Sequence, residues 1–323
     1  MVVAKADFDY QNRMISSSAN RTKDCTEEKT QKYDDGEGQR AARAMNMATI
    51  VRPKANDVKQ MPESAITPAV LTIAGYDPST GAGVTADLEV FTGHGVLGIS
   101  AVTALTVQAR SGVRRVEPVS PALLLETLDL LSQNREIAGV KIGMLATAEL
   151  ARAVTKFLLR SGIPRNRVVL DPVIRSSSGA ELLDAEGVQV LREELLPRAG
   201  WVTPNLEEAA ALAGEDPGIG FGMVPEVAAR ITHLGGSGLN VVVTGGDLEP
   251  PDDFLREAGG GETWFPGKRV EARSVHGTHG TGCVFSAALL CRLVLGDGPR
   301  EAVREAKEAV VRRLLGQPAA RRL

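Results

Sequence analysis

The stretch RVVLDPVIRSSSGAELLDAEGVQVLREELLPRAGWVTPNLEEAAALAG, Arg167 to Gly214, carries the fold in miniature. RVVLDPVI is a short apolar run closed by Asp-Pro, and reads as a buried strand and turn. DAEGVQVLREELLPRA has helical spacing, WVTPN is a second short strand, and LEEAAALAG is a helix stopped by glycine. Strand, helix, strand, helix in under 50 residues is the signature of a parallel sheet with crossover helices.

The pattern extends outward from there. Upstream come strand AVLTIAGYD, helix GVTADLEVFTGHG, strand GISAVTALTVQ, helix PALLLETLDLLSQ, strand GVKIGML and helix TAELARAVTKFLLRSG. Downstream come helix VPEVAARITHLGG, strand LNVVVTGG, a hairpin-like excursion ETWFPGKRVEARSV, and two closing helices, GTGCVFSAALLCRLVLG and PREAVREAKEAVVRRLLG. Several strands are apolar at every position, so both sheet faces are covered. The expected fold is a three-layer α/β/α sandwich around a central, mainly parallel sheet.

Residues 1–65 differ in texture. They are rich in Lys, Asp, Glu, Ser, Asn and Gln, with only short apolar runs. Such a segment buries too little surface to offset its ordering entropy, and a disordered N-terminal extension is expected there, with the folded domain at 66–323. The start MVVAKADFDYQNRM lacks a signal-peptide apolar core. The 323-residue chain is 43% hydrophobic and 24% charged with net charge −3, an ordinary globular balance that argues against nucleic-acid or membrane-surface partners. Three cysteines make no disulfide framework, and a reducing cytoplasm is expected.

In an open parallel sheet, ligands bind beyond the carboxyl ends of the strands. Five unusual segments fall there: AGYDPSTGAG, GML, DPVIRSSSG, TPNLEE and VTGGD. A sixth, HGTHGTGCVFSAALLC (His276–Cys291), is a glycine turn opening an apolar helix. Gly280 and Gly282 flank Thr281. Such a turn bares backbone N–H groups at the positive end of a helix and suits a phosphate; a tight turn with close helix packing explains the same glycines. Cys283 lies in the first turn, where a thiol is expected to acidify; the alternative is a small buried hydrophobe, the role Cys291 fits. No Walker-type Gly-Lys-Thr/Ser follows the first strand.

AGYDPSTGAGVTADLEVF, AVTALTVQ, VKIGMLAT, LDPVIRSSSGAELL, TPNLEEAAAL, VVTGG and HGTGCVFSAAL occur in the order found in bacterial hydroxymethylpyrimidine/phosphomethylpyrimidine kinases, and the chain resembles that ribokinase-like family over residues 68–312. The resemblance implies two ATP- and Mg²⁺-dependent phosphorylations in thiamine biosynthesis: first of the hydroxymethyl group of 4-amino-5-hydroxymethyl-2-methylpyrimidine, then of that monophosphate. It implies Cys283 as the base that takes the hydroxyl proton, and Gly280, Thr281 and Gly282 as anion-hole amides. Gln108 and Asp87 become pyrimidine contacts, with Gly75 and Met144 lining the pocket. On pattern alone Asp87 reads equally as an exposed helix acid and Gln108 as a loop amide. Glu208 and Asp171 become Mg²⁺-side carboxylates; Asn205, Thr203, Thr244 and Gly245 serve the nucleotide. A homodimer stays open.

Departures from the family pattern are Tyr76 and Thr80 in the first loop, Arg175 to Ser178, Thr244 where lysine is common, and Asp247 where histidine is common. His279 is the motif histidine and His276 an extra one. Two rival readings remain: a pyridoxal/pyridoxine kinase of the same superfamily, and a non-catalytic pyrimidine-binding regulator.

Overall fold

A computed structural model describes residues 67–318, apart from 110, 111, 217, 219 and 247. The expected extension 1–65 and Asp247 lie outside the described residues.

The strands are β1 (Ala69–Tyr76), β2 (Leu97–Ala109), β3 (Gly112–Pro118), β4 (Gly139–Ile142), β5 (Val168–Leu170), β6 (Trp201–Val202), β7 (Asn240–Val243), β8 (Asp253–Arg256) and β9 (Glu262–Phe265). They form one sheet in the order β3-β2-β1-β4-β5-β6-β7-β8-β9. Pairing is parallel from β2 through β7, and antiparallel at β3, β8 and β9. The chain order reverses where β1 lies between β2 and β4, the kind of crevice in which open α/β sheets take ligands.

The helices are α1 (Gly83–Gly93), α2 (Pro121–Asn134), α3 (Ala148–Ser161), α4 (Ala185–Val190, continued by a π turn, Leu191–Leu195), α5 (Leu206–Ala213), α6 (Val224–Gly235), α7 (Thr281–Val294) and α8 (Pro299–Leu314). Strand periodicity divides them into two layers. Leu71, Ile73, Val140, Ile142, Leu170, Val241 and Val243 pack with α2, α3, α5 and α6. The alternate residues Val70, Val169 and Val242 pack with α1, α7 and α8. The middle of α7, Val284 to Cys291, is buried all round because sheet, α1 and α8 enclose it.

Helix starts obey local chemistry. Ser120, Thr147, Asp184 and Asn205 each cap a following helix through a side-chain oxygen. The other four helices, α1, α6, α7 and α8, start without a side-chain cap, α7 from Gly280 in the left-handed region.

Two expectations need correction. GVRRVEP forms β3, an unforeseen antiparallel edge strand, because its charges sit on an exposed rim. The expected hairpin is displaced: β9 pairs with the upstream β8, not with the residues that follow it. Pro266 has no N–H to extend the ladder, and Gly267 lies against the Pro251 carbonyl, so the chain leaves the sheet there.

Candidate active site

The loop 75–83, running from the last residues of β1 to the first of α1, is the hub of the site. A Cβ on Gly75 would lie 2.9 Å from the Met144 sulfur, so glycine here lets strand and thioether touch. Gly83 has φ +62° and stands over the Gly75 carbonyl. Its backbone amide favours the thiolate form of Cys283. A Cβ on Gly81 would strike the His279 ring at 2.3 Å. One nine-residue loop therefore joins Met144, Cys283 and His279, residues spread over more than a hundred positions.

Asp77 holds this loop in shape. Its Oδ1 accepts from the Ser79 N–H (2.8 Å) and hydroxyl (2.7 Å), and its Oδ2 from the Ala82 N–H (2.9 Å). His279 Nε2 lies 2.9 Å from Oδ2. Burial raises the Asp77 pKa, but the hydrogen bonds from Ser79 and His279 outweigh it and hold the carboxyl below its ordinary value. The Gln108 side-chain amide lies 3.0 Å from the same His279 nitrogen. Met144 thus touches the loop directly and Gln108 reaches it through His279.

The glycines of the α7 turn divide into two kinds. Gly280 has φ +76°, and a Cβ there would meet the Gly81 carbonyl at 1.9 Å; two backbones cross at this point. Gly282 is exposed with open space where its Cβ would be, so an incoming anion can approach its amide. Thr281 is half-buried and its hydroxyl donates to the Thr278 carbonyl at 3.2 Å.

Beneath the turn lies a buried polar cluster. Lys141, fully buried on β4, donates to both Asp87 oxygens at 3.1 and 3.0 Å and lies 3.7 Å from Asp171. Thr72 also donates to Asp87, at 2.6 Å, and Ser286 of α7 donates to Asp171 at 3.0 Å. Burial alone would lower the Lys141 pKa, but Asp87, aided by Cys283 and Asp171, holds the ammonium above its usual value. Burial pushes Asp87 and Asp171 upward against the opposing charge of Lys141.

Two expectations fail here. Asp87 is neither an exposed acid nor a surface that a pyrimidine can reach: it is fully buried on the inner face of α1, with its oxygens committed to Thr72 and Lys141. Cys283 is not acidified. Burial, reinforced by Asp171 and Asp87, pushes its thiol up to about 12, although Lys141 and the Gly83 amide pull the other way. A helix N-terminus does not by itself produce a thiolate when carboxylates share the same dry space. Cys291 fills the role expected of it, buried in the apolar layer, and both cysteines are free.

On the other side, Asn205 and Glu208 form a capping box. Asn205 Oδ1 accepts the Glu208 N–H at 2.8 Å, and Glu208 Oε2 accepts the Asn205 N–H at 2.9 Å. Glu208 is buried, and burial plus the charge of Asp171 push its carboxyl up to about 8. Thr203 is buried at the end of β6, its N–H on the Leu170 carbonyl at 3.0 Å. Thr244 bridges back to Asn205 and donates its N–H to the Pro204 carbonyl at 2.9 Å. Gly245 is not an open cradle. A Cβ there would lie 2.0 Å from the Asp252 carbonyl, and its N–H is taken by Asp253 at 2.7 Å. Its glycine serves the crossing of two backbones.

The sequence reading passed over Lys141, Asp77, Ser286 and the Asp253–Lys307 pair, in which Lys307 of α8 donates to Asp253 at 2.8 Å. A signal existed for Lys141: a lone cation in the middle of the apolar strand GVKIG has to find a buried partner. A cavity of about 270 Å³ lined by Val116, Pro118, Ala146 and Glu181 to Asp184 touches none of the expected site residues.

A family model described as phosphomethylpyrimidine kinase matches residues 77–320. The chain belongs to that family. It is 37% identical over 250 residues to the hydroxymethylpyrimidine/phosphomethylpyrimidine kinase of Haemophilus influenzae, covering 75% of this chain and 88% of that one. Among solved structures, phosphomethylpyrimidine kinase from Clostridium difficile superposes with TM-score 0.64 at 31% identity, covering 76% of this chain and 98% of that one. Bacillus subtilis pyridoxal kinase, solved as an ADP complex, superposes with TM-score 0.67 at 32% identity, over 76% and 90%. The architecture is the ribokinase-like one that the sequence implied. Among the described residues no helix is long and apolar enough to cross a membrane.

Proposed function

We propose that this phosphotransferase uses ATP to phosphorylate 4-amino-5-hydroxymethyl-2-methylpyrimidine and then its monophosphate, in the cytoplasm. The observation that carries the reading is that Met144 and His279 pack on the segment 75–83, that Gln108 joins it through His279, and that the Gly83 amide acts on Cys283. Family membership supports the reaction type. The domain 66–323 carries the activity, with 1–65 outside it.

Gln108 meets the ring: an amide donates and accepts side by side, which matches a ring nitrogen next to an amino group. Met144 and Gly75 flank the ring. Cys283 orients the hydroxyl; having first released its own proton to solvent, it takes the hydroxyl proton as the thiolate while the oxygen bonds to phosphorus and ADP leaves. Lys141 and the Gly83 amide favour the thiolate that accepts the proton; Asp87 and Asp171 oppose it. The amides of Gly282 and Cys283 face the migrating charge, uncapped by any side chain.

The residues present suit a hard divalent cation. Asp171 and Glu208 are two neighbouring buried carboxylates whose mutual repulsion helps push Glu208 upward, and a cation relieves that repulsion. Among the described residues no cluster of three or more His, Cys, Asp or Glu is gathered for a metal. A cation here keeps much of its water, as Mg²⁺ does. When bound, Mg²⁺ supplies positive charge for the phosphates. Thr203, Thr244 and Asn205 border the nucleotide side.

The test is mass analysis of products after incubation with ATP, Mg²⁺ and the pyrimidine alcohol, with pyridoxal as a parallel substrate. Two successive additions of phosphate to the pyrimidine are expected. Binding without turnover, or phosphate on pyridoxal alone, overturns the reading.

A further inference from the structure

The sequence singled out His279, but the reaction as written gives it no task. Its surroundings do. Asp77, held ionised by four donors, can only accept, so the His279 nitrogen 2.9 Å away carries a proton and donates to it. The same nitrogen lies 3.0 Å from the Gln108 amide. A nitrogen that carries its proton cannot accept from an NH₂ group, so the amide atom facing it must be oxygen.

A second contact leads independently to the same orientation. The Thr106 hydroxyl donates its one proton to the Tyr76 carbonyl at 2.9 Å. The other end of the Gln108 amide lies 3.3 Å from that hydroxyl oxygen, which is left free only to accept. The group facing Thr106 must therefore be NH₂. A half-turn of the amide removes the donor–donor conflict at His279, whose one N–H is then shared between Asp77 and the amide oxygen, and gives Thr106 a donor; amide oxygen and nitrogen are assigned by such networks rather than seen.

We infer that His279, backed by Asp77 and assisted by Thr106, is a positioning residue that locks one orientation of the Gln108 amide and so selects an amino-bearing ring over an oxo-bearing one. The inference rests on the reading that Gln108 meets the ring. The locked amide offers the pocket one acceptor position and one donor position in fixed order. A 4-aminopyrimidine presents a donor beside a ring acceptor. Its 4-oxo counterpart presents an acceptor beside a ring N–H, the reverse polarity. With the amide locked, the oxo ring faces two mismatched contacts; with the amide free, a half-turn accommodates it. Sites built to hydrogen-bond a particular group reject the mismatched analogue strongly because buried polar atoms are left unpaired. Ser177, whose hydroxyl lies 3.4 Å from the other ring nitrogen of His279, steadies the imidazole from behind.

The experiment compares kcat/KM, or inhibition constants, for the 4-amino alcohol and its 4-oxo analogue in the wild-type chain and in H279A, H279Q and Q108A. In H279A the amino-over-oxo preference is expected to fall at least tenfold, with kcat/KM for the oxo compound unchanged or higher. H279Q keeps a donor within reach of both Asp77 and Gln108, and most of the preference returns. Q108A removes the preference, and adding H279A to it changes the ratio no further. If Q108A leaves the preference intact, the reading of Gln108 fails and the inference with it. If Q108A abolishes the preference while H279A lowers both substrates equally, the reading stands and the locking role is wrong.

Discussion

On the side proposed for the nucleotide, the contacts of Asn205, Glu208 and Gly245 join near neighbours in sequence, although Thr203 and Thr244 reach back 33 and 40 positions; around the pocket proposed for the substrate, the contacts that bring Gln108, His279 and Lys141 into place are all long-range. Asn205 and Glu208 exchange hydrogen bonds three residues apart, and Gly245 is held by Asp253 eight residues on. Opposite them, 171 positions separate Gln108 from His279, 202 separate Asp77 from His279, and 54 separate Lys141 from Asp87. A local contact survives when its surroundings shift, because its loop entropy is small. A long-range contact exists only while two loops stay docked. Substitutions should therefore cost more on the substrate side than formally similar ones on the nucleotide side.

The strongest test pairs two lysines. Lys141→Met leaves Asp87 buried and uncompensated, and a loss of about 3–5 kcal/mol in urea unfolding is expected. Lys307→Met removes a partner of Asp253 that is 19% exposed, and a clearly smaller loss is expected because water reaches the gap. Both pairs span 54 positions, so the difference reads burial with sequence separation held constant, and equal losses would remove burial as its cause.

Next in size is chemistry. Cys283→Ala should lower turnover of the alcohol by about 10²–10⁴-fold, the usual range for a proton acceptor. The monophosphate already offers a phosphate oxygen, so its conversion should fall far less. Equal loss in the two steps, read by rapid-quench product analysis, removes Cys283 from the proton-transfer role.

The two glycines of the α7 turn sharpen the contrast between docking and ligand approach. Gly280→Ala forces a Cβ against the Gly81 carbonyl at a φ of +76°, so both melting temperature and activity should drop, by about 1–3 kcal/mol in stability. Gly282→Ala meets nothing in the protein; stability should hold while kcat falls as the methyl group crowds the phosphate. A melting temperature lowered as much by the second change as by the first would contradict this division.

The last test is a pH slope. The Glu208 carboxyl sits at about 8 in the folded chain against 4.5 when unfolded, so the folded state retains a proton that the unfolded state has lost. Its contribution to stability is complete below pH 4.5 and disappears as pH rises through 8. Denaturation midpoints of the metal-free protein should decline across that window, and Glu208→Gln should flatten the decline. Saturating Mg²⁺ should flatten it too. An unchanged slope in the variant would assign the titration elsewhere.

Legibility in the sequence followed the same division. The helix caps, the Asn205–Glu208 box and the apolar strands β1, β4, β5 and β7 could be read because each depends on residues within a few positions. β3 escaped because GVRRVEP looks like loop until β2 supplies its partner. β8 escaped because its four residues, DFLR, carry no pattern of their own. Gly245 and Gly280 were recognisable as special glycines, but the crossing carbonyls of Asp252 and Gly81 that make them so come from elsewhere in the chain.

By itself the sequence determined the order of strands and helices, their two-sided burial and the family, since periodicity and capping act over a turn or two of chain. Only the tertiary structure decided that Asp87 is an internal counter-ion, that Cys283 rests as a thiol, and that His279 grips Gln108. Charge and hydrogen bonding act through space, and their sign at a given atom depends on which distant groups folding brings within a few ångströms.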